Sequence, residues 1–214
     1  MNTIFSWLAS NWIEVFGAIF MLVFLYLEIM QKWTMWILGV ISGVFYMYIN
    51  FSNGLYMMAV LMTYNVICSL YGIYNWKIAK TQDNQNLPIC FVDTRTALSL
   101  TLIGVLLFEL LAFVRMIIDG NPFTSTDAVF VFTMDVQVTV LSVIALWMAA
   151  KKMVESWFLW LVVNPCNIIL YTYKGMYPST ILYVIFTIAA IIGYIQWRKA
   201  ALAQQKEAVL VQET

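Results

Sequence analysis

Residues 32–36 read KWTMW, and residues 156–160 read SWFLW, 124 residues further along the chain. Each stretch follows an apolar run that ends in polar or charged residues, and each opens a second apolar run of about 20 residues, the length that crosses a bilayer as a helix. The same tryptophan pair at the start of two such runs predicts an internal duplication, and it sets the order in which the remaining segments are interpreted.

Two further landmarks repeat at an offset of 121 residues. The stretch 53–56 (NGLY) matches 174–177 (KGMY), and the stretch 71–77 (YGIYNWK) matches 192–198 (IGYIQWR). One three-residue deletion near the second tryptophan pair would reconcile the two offsets. Because matching helices are then four apart, an even number, we expect both halves to have the same orientation, as in transporters built from parallel repeats.

Composition restricts the class of protein. The 214 residues are 63% hydrophobic and 10% charged, whereas a soluble domain is about 25% charged. The chain therefore has too few polar residues to cover a water-facing surface, which excludes a soluble globular enzyme. Its formal net charge of zero argues against the basic surface that a nucleic-acid-binding protein needs.

Residues that usually carry catalysis are scarce. The chain has no histidine, which removes histidine general bases and histidine metal ligands. Cys68, Cys90 and Cys166 are an odd number and lie far apart, so they form neither a disulfide framework nor a zinc pattern. A GxxxxGK[ST] phosphate loop is also missing from the sequence. We therefore predict no enzyme activity, no cofactor and no metal.

Long apolar runs with short polar breaks predict seven transmembrane helices, because lipid offers the backbone no hydrogen-bond partner. The predicted spans are residues 12–31, 33–51, 55–77, 96–118, 127–149, 157–174 and 178–198. The fold class is an all-α integral membrane protein, a single membrane domain over 1–214. Two three-helix repeats, 12–77 and 127–198, flank a linker helix at 96–118. Residues 199–214 are predicted to form a frayed, polar cytoplasmic tail.

The positive charges separate by side when seven helices are drawn. Nine fall on one side, and only Arg115 and Lys174 fall on the other. The nine are Lys32, Lys77, Lys80, Arg95, Lys151, Lys152, Arg198, Lys199 and Lys206. The positive-inside rule assigns the richer side to the cytoplasm. We therefore predict a multi-pass membrane protein with its N-terminus outside and its C-terminus in the cytoplasm.

The sixth predicted helix carries the richest set of polar and aromatic residues. Trp157, Trp160, Asn164, Asn167 and Tyr171 follow spacings of three and four, which place them on one helical face. Indole and phenol rings can stack on a flat ligand or hold a cation, and amides both donate and accept hydrogen bonds. The face is therefore a candidate binding site. Interfacial anchoring of Trp157 and hydrogen bonding of the asparagines between helices are the structural alternatives.

Three further residues are candidate ligand contacts in other helices. Gln137 and Asn65 lie well inside the fifth and third predicted spans, and Trp36 lies at the matching end of the first half. Interhelical hydrogen bonding or anchoring is the alternative for each. Glu109 lies in the middle of the fourth span, where it could be protonated, pair across a subunit interface or couple transport to protons.

The motifs together resemble a known family. Residues 152–164 (KxxESWxxWxxxN) and 71–76 (YGxYxW), with seven helices in a three-one-three duplication, are similar to the PnuC family of bacterial vitamin transporters. The similarity extends from about residue 12 to residue 198. The resemblance implies a fold related to the SWEET sugar carriers.

The resemblance also implies a function. Members most similar to this chain transport nicotinamide riboside by facilitated diffusion, with uptake sustained by phosphorylation in the cytoplasm, and they assemble as homotrimers. Stacking by Trp157 or Trp160 and amide bonds from Asn164 and Gln137 would suit the cationic ring, carboxamide and hydroxyls of that ligand. Related carriers transport thiamine or riboflavin, and a seven-helix ligand sensor is the alternative from a different class.

Overall fold

The computed structural model describes residues 12–52, 56–79, 87–119, 124–173, 175 and 177–212. Seven α-helices occupy this part of the chain. They are α1 (Trp12–Ile29), α2 (Met35–Ser52), α3 (Tyr56–Ile73), α4 (Thr94–Asp119), α5 (Thr126–Ala150), α6 (Ser156–Tyr173) and α7 (Tyr177–Gln212). A π-helical turn, Tyr74–Ile78, continues α3, and the one β-type pairing in the described residues is an isolated bridge between Cys90 and Met153. The all-α fold class with seven helices is confirmed.

The helix lengths suit a bilayer. Four of the helices, α1, α2, α3 and α6, have 18 residues each, which corresponds to about 27 Å at 1.5 Å per residue and is close to the hydrocarbon thickness. By length and composition, three described stretches can cross a membrane: Thr94–Ile118, Thr126–Ala150 and Ser179–Glu207. Shorter apolar stretches lie within α1 and α2.

The chain divides into two compact units, Met1–Ile73 and Tyr74–Thr214. In the first unit α2 packs closely on α3, since a Cβ atom added at Gly43 would lie 2.6 Å from a methyl carbon of Val66. In the second unit α4 packs on α5 through an apolar cluster centred on Val136, Val140, Ile144 and Met148. The three-one-three division at 12–77, 96–118 and 127–198 stays a prediction.

The turn between α1 and α2 is the same as the turn between α5 and α6. Gln31 and Lys152, which are 121 residues apart, both have φ of 55°, and both occupy the left-handed position that follows a helix end in a Schellman motif. Three backbone hydrogen bonds of the first turn have counterparts 121 residues later. In the first turn they are Gln31 N to Glu28 O at 2.9 Å, Lys32 N to Leu27 O at 2.8 Å and Trp36 N to Trp33 O at 3.1 Å. In the second turn they are Lys152 N to Ala149 O at 2.9 Å, Met153 N to Met148 O at 3.0 Å and Trp157 N to Val154 O at 3.2 Å.

This match corrects the predicted register of the duplication. Trp36 is the structural equivalent of Trp157, at an offset of 121, so the 124-residue alignment of the tryptophan pairs was wrong and no deletion is needed. The error arose because each half has two tryptophans three residues apart. Matching the two tryptophan pairs by sequence aligned Trp36 with Trp160, whereas the backbone of the turn aligns Trp160 with Gly39.

The segment 87–92, which we term the strap, ties the α5–α6 turn to the end of α7. Its bonds are Cys90 N to Lys152 O, 3.1 Å; Val154 N to Cys90 O, 3.0 Å; Val92 N to Glu155 Oε2, 3.0 Å; Lys152 Nζ to Leu87 O, 3.1 Å; and Ile89 N to Gln204 Oε1, 2.9 Å. Burial lowers the pKa of the Lys152 ammonium, which lies 4.9 Å above the Trp76 ring. The strap, the turn and the end of α7 therefore lie together at one end of this unit.

The polar tail differs from its prediction. Residues 199–214 were expected to fray, but α7 continues as a helix to Gln212. The stretch is rich in alanine, leucine, glutamine, lysine and glutamate, which are strong helix formers, and the bond from Ile89 to Gln204 joins it to the strap.

The π-helical turn is held by α5. The carbonyl of Ala150, the last residue of α5, accepts hydrogen bonds from Asn75 Nδ2 at 3.2 Å and from Trp76 Nε1 at 3.1 Å. The final carbonyls of a helix have no partner within the helix, so these side chains satisfy a group that would otherwise be exposed to an apolar surrounding.

We expect Asn75→Ala to lower the free energy of unfolding by about 1 kcal/mol, because it removes one buried hydrogen bond. Thermal unfolding of the protein in detergent measures the change. The control is Gln196→Ala, the position 121 residues later, where the side chain is exposed and a change within about 0.5 kcal/mol is expected. Equal losses for the two variants would contradict a special role for the bond to Ala150.

Candidate functional site

The predicted polar face of α6 lies against α7, and aromatic contacts close it at both ends. Near the start of α6, Trp157 is 0% exposed and packs edge-on against Trp197, with ring centroids 5.5 Å apart. Near its end, Tyr171 stacks on Tyr183 at 5.2 Å and an interplanar angle of 13°. The spacing of α6 carries the residues between these contacts along the same face.

Two amides occupy the middle of this face. Asn164 is 4% exposed and Asn167 is 5% exposed, and neither side chain makes a hydrogen bond to any residue that the structure describes. Their amide atoms keep some accessible surface, because they are not among the fully enclosed atoms that lack a partner in the described residues. The pair therefore presents donors and acceptors that the described residues leave unused.

The tryptophans add further unused donors. Within the described part of the chain, the indole nitrogens Nε1 of Trp157 and Trp160 are buried and have no hydrogen-bond partner. Trp160 is half-buried, so part of its ring stays accessible, whereas the Trp157 ring is fully enclosed. Apart from the enclosed Trp157, this helical face offers two amides, part of the Trp160 ring and a phenol ring, which suit a flat polar ligand with several hydrogen-bonding groups.

Gln137 is not brought together with these amides. It lines a separate groove of about 600 Å³ between α4, α5 and the start of α6. The groove is largely apolar, and its lining also includes Thr101, Phe108, Glu155 and Leu159 but neither Asn164 nor Asn167. A role for Gln137 in ligand contact stays a prediction.

Asn65 and Trp36 lie in the first unit and have packing contacts there. The side-chain oxygen of the half-buried Asn65 accepts a 3.5 Å bond from the Ser69 hydroxyl of the same helix, which differs from the predicted alternative of a bond between helices. Trp36 is 0% exposed and packs against Gly72. Their participation in a site also stays a prediction.

Sequence reasoning missed the importance of Gly193 and Tyr183. Gly193 was a landmark of the repeat, yet its role as the contact of Trp157 was not recognised. The available signal was the 121-residue offset from Gly72, since a glycine retained at equivalent positions indicates close approach of another group. Tyr183 carried no signal that separates it from other membrane tyrosines.

Charged groups of the second unit lie outside the α6 face. Arg115 of α4 and Asp135 of α5 form an ion pair, and the Arg115 guanidinium lies 5.8 Å from the centroid of the Phe132 ring. Glu109 is exposed on α4. The candidate site is therefore polar but uncharged along α6, a helix that contains no lysine, arginine, aspartate or glutamate.

Comparison with known proteins gives consistent matches over almost the whole chain. Residues 11–199 match the family model described as "Nicotinamide mononucleotide transporter". The chain is 27% identical to "Nicotinamide riboside transporter PnuC" of Escherichia coli (strain K12) and to the protein of the same name from Shigella flexneri, with 89% of this chain and 87% of each relative covered. These matches confirm the predicted resemblance.

A solved structure has the same fold. The chain superposes with a TM-score of 0.68 on "Crystal structure of the Vitamin B3 transporter PnuC", at 20% identity, with 94% of this chain and 87% of the other covered. This match confirms the predicted fold, since proteins of such low identity can still share one backbone arrangement.

We expect Asn164→Leu to leave the melting temperature of the ligand-free protein unchanged or to raise it. The apolar side chain of similar size removes a buried amide that has no partner in the described structure, and such a group costs about 1–3 kcal/mol. The matched control is Asn75→Leu, which removes a buried amide that does have a partner and should lower the melting temperature. A fall for Asn164→Leu as large as that for Asn75→Leu would show that Asn164 makes a structural bond.

Proposed function

We propose that this chain, which belongs to the nicotinamide mononucleotide transporter family, is a membrane transporter that carries nicotinamide riboside. The observation that carries the proposal is the amide pair Asn164 and Asn167, which lies on an uncharged face of α6 and makes no hydrogen bond to a described residue. The names of the relatives from Escherichia coli and Shigella flexneri support the choice of substrate.

The ligand chemistry fits the α6 face group by group. Nicotinamide riboside has a cationic flat ring, a carboxamide and ribose hydroxyls. In our proposal the accessible part of Trp160 stacks on the ring through a cation–π contact, the amides of Asn164 and Asn167 bond the carboxamide or the hydroxyls, and Tyr171 lies at the end of the site.

The same face favours the riboside over the mononucleotide. A phosphate group would add negative charge, and proteins usually bind it with arginine, lysine or a helix N-terminus. Since α6 has no basic residue and the amide pair lies in the middle of the helix, the nucleoside without a phosphate group is the better match for this site.

We propose facilitated diffusion by alternating access, in which the two repeats rock about the bound ligand. A chain without a phosphate loop has no visible means of using ATP, so net uptake would depend on trapping of the product by phosphorylation in the cytoplasm. No enzymatic activity of the chain itself is required.

We also propose that the positively charged end of each repeat faces the cytoplasm, with the N-terminus outside. Within the second unit, the strap contacts support this orientation, because Cys90 pairs with Lys152 and Ile89 bonds to Gln204. These contacts place Arg95, Lys151 and Lys152 near one end of the unit, where the positive-inside rule predicts the cytoplasm.

A homotrimer in the inner membrane is the proposed assembly. Along Thr94–Ile118 of α4, none of the central residues is buried within the chain, and this exposed helix carries Glu109 in its middle. A carboxylate facing lipid is costly, so pairing across a subunit interface would explain both its position and the exposure of α4.

We expect purified protein in sealed liposomes to equilibrate radiolabelled nicotinamide riboside without ATP and without an ion gradient. Counterflow, in which unlabelled ligand inside accelerates entry of labelled ligand, distinguishes transport from mere binding by a sensor. Protein-free liposomes are the control. Uptake that requires a proton gradient would contradict uniport and would direct attention to Glu109.

We expect Asn164→Ala to raise the Kd for nicotinamide riboside by about tenfold or more, since loss of hydrogen bonds to a polar ligand costs on the order of 1–3 kcal/mol. Isothermal titration measures the Kd, with thiamine and riboflavin titrated in parallel to test the choice of vitamin. Asn75→Ala is the matched control, because it removes a buried amide outside the α6 face. Unchanged affinity in Asn164→Ala would remove this residue from the site.

A further inference from the structure

The indole of Trp157 occupies a space that exists because residue 193 has no side chain. A Cβ atom added at Gly193 would lie 2.6 Å from Cη2 and Cζ3 of Trp157 and 2.7 Å from Cε2, closer than carbon atoms can approach. On another side the ring meets Trp197 edge-on, with 83° between the ring planes. The rigid ring is therefore enclosed between the α7 backbone and a second indole.

This enclosure sets the rotation of α6 about its axis. Trp157 lies in the first turn of α6, and Trp160 and Asn164 follow it by about one and two turns of the same helix. Because successive turns of a helix rotate together, displacement of the Trp157 ring would change the direction of the groups that follow. A shift of even 1 Å can matter at a site that depends on hydrogen-bond geometry.

We propose that Gly193 is a positioning residue, which seats Trp157 and thereby directs Trp160, Asn164 and Asn167 toward the ligand. The inference rests on the proposed function and names a residue that would act on the site without touching the ligand. Gly193 itself is buried in the α6–α7 contact.

The first repeat contains the same packing of a tryptophan on a glycine, but its helix does not carry the polar residues that follow Trp157. A Cβ atom added at Gly72 would overlap the fused-ring carbons Cδ2 and Cε2 of Trp36, and Trp36 is enclosed as fully as Trp157. The positions 121 residues before Trp160 and Asn164 are Gly39 and Gly43. Both pack tightly on α3, so this seat directs no amide toward a ligand.

The two seats allow a matched comparison. Gly193→Ala should lower the melting temperature and raise the Kd for nicotinamide riboside by about tenfold, since overpacking a tight contact displaces its neighbours. Gly72→Ala introduces the same kind of steric overlap, between a methyl group and the Trp36 ring, at the equivalent place in the first repeat. It should lower the melting temperature similarly while the Kd stays within about twofold of the wild-type value.

A double-mutant cycle tests whether the effect passes through Trp157. In the Trp157→Phe background the smaller ring leaves room for a methyl group, so adding Gly193→Ala should change the Kd by less than about twofold. This arm also serves if Gly193→Ala alone does not fold. A methyl group that weakens binding equally in both backgrounds overturns the proposal.

The remaining outcomes are distinguishable. Equal losses of affinity in Gly193→Ala and Gly72→Ala would show a general structural effect and overturn the inference, as would unchanged affinity in a folded Gly193→Ala protein. Each of these leaves the proposed function intact. Failure of the wild-type protein to bind nicotinamide riboside would overturn the proposed function and this inference together.

Discussion

Direct packing of an indole ring on a glycine backbone determines how α2 meets α3 and how α6 meets α7. In lipid the hydrophobic effect does not draw helices together, so their association depends on close packing and on a few polar contacts. Trp36 on Gly72 and Trp157 on Gly193 provide that packing at the same place in each repeat. The Schellman turn before each tryptophan holds it at the start of its helix.

The polar residues of α6 depend on this packing. Asn164 and Asn167 have no partner in the described structure, so they do not contribute to holding α6 in place. The aromatic contacts at the two ends, Trp157 with Trp197 and Tyr171 with Tyr183, supply the stability instead. A helix that is fixed at both ends can carry polar side chains between them that make no structural bond, and departures from optimal packing of this kind are expected mainly at functional sites.

Much of the fold could be predicted because a chain that crosses lipid must satisfy its backbone hydrogen bonds within itself, which favours helices of bilayer length. Apolar run length and the separation of positive charge gave seven helices whose limits differ from the observed ones by a few residues in most cases. The end of α7 was missed because polarity was taken as a sign of fraying, whereas residues 200–212 have high helix propensity and Gln204 bonds to the strap. Polarity reports solvent exposure and does not exclude a helix.

The site was harder to predict than the fold, for a physical reason. Spacing along one helix correctly grouped Asn164, Asn167 and their aromatic neighbours, because helical geometry is local. Contact across helices depends on register, and there the sequence was misleading, because the tryptophan pairs were aligned with an error of three residues. When each half has two tryptophans, the sequence alone does not show which of them packs on the glycine of the next helix.

The corrected register explains why one repeat carries the polar face and the other does not. Gly39 and Gly43 let α2 approach the side chains of α3 directly, with Ser69 and Val66 filling the contact. At the equivalent positions of α6, Trp160 and Asn164 are too large for that approach, so the α6–α7 contact must be made by the aromatic groups at its ends. Polar side chains then lie along α6 between those two contacts. The same seating of a helix thus occurs in both halves, whereas two glycines of α2 correspond to an indole and an amide on the face of α6 where we propose that the ligand binds.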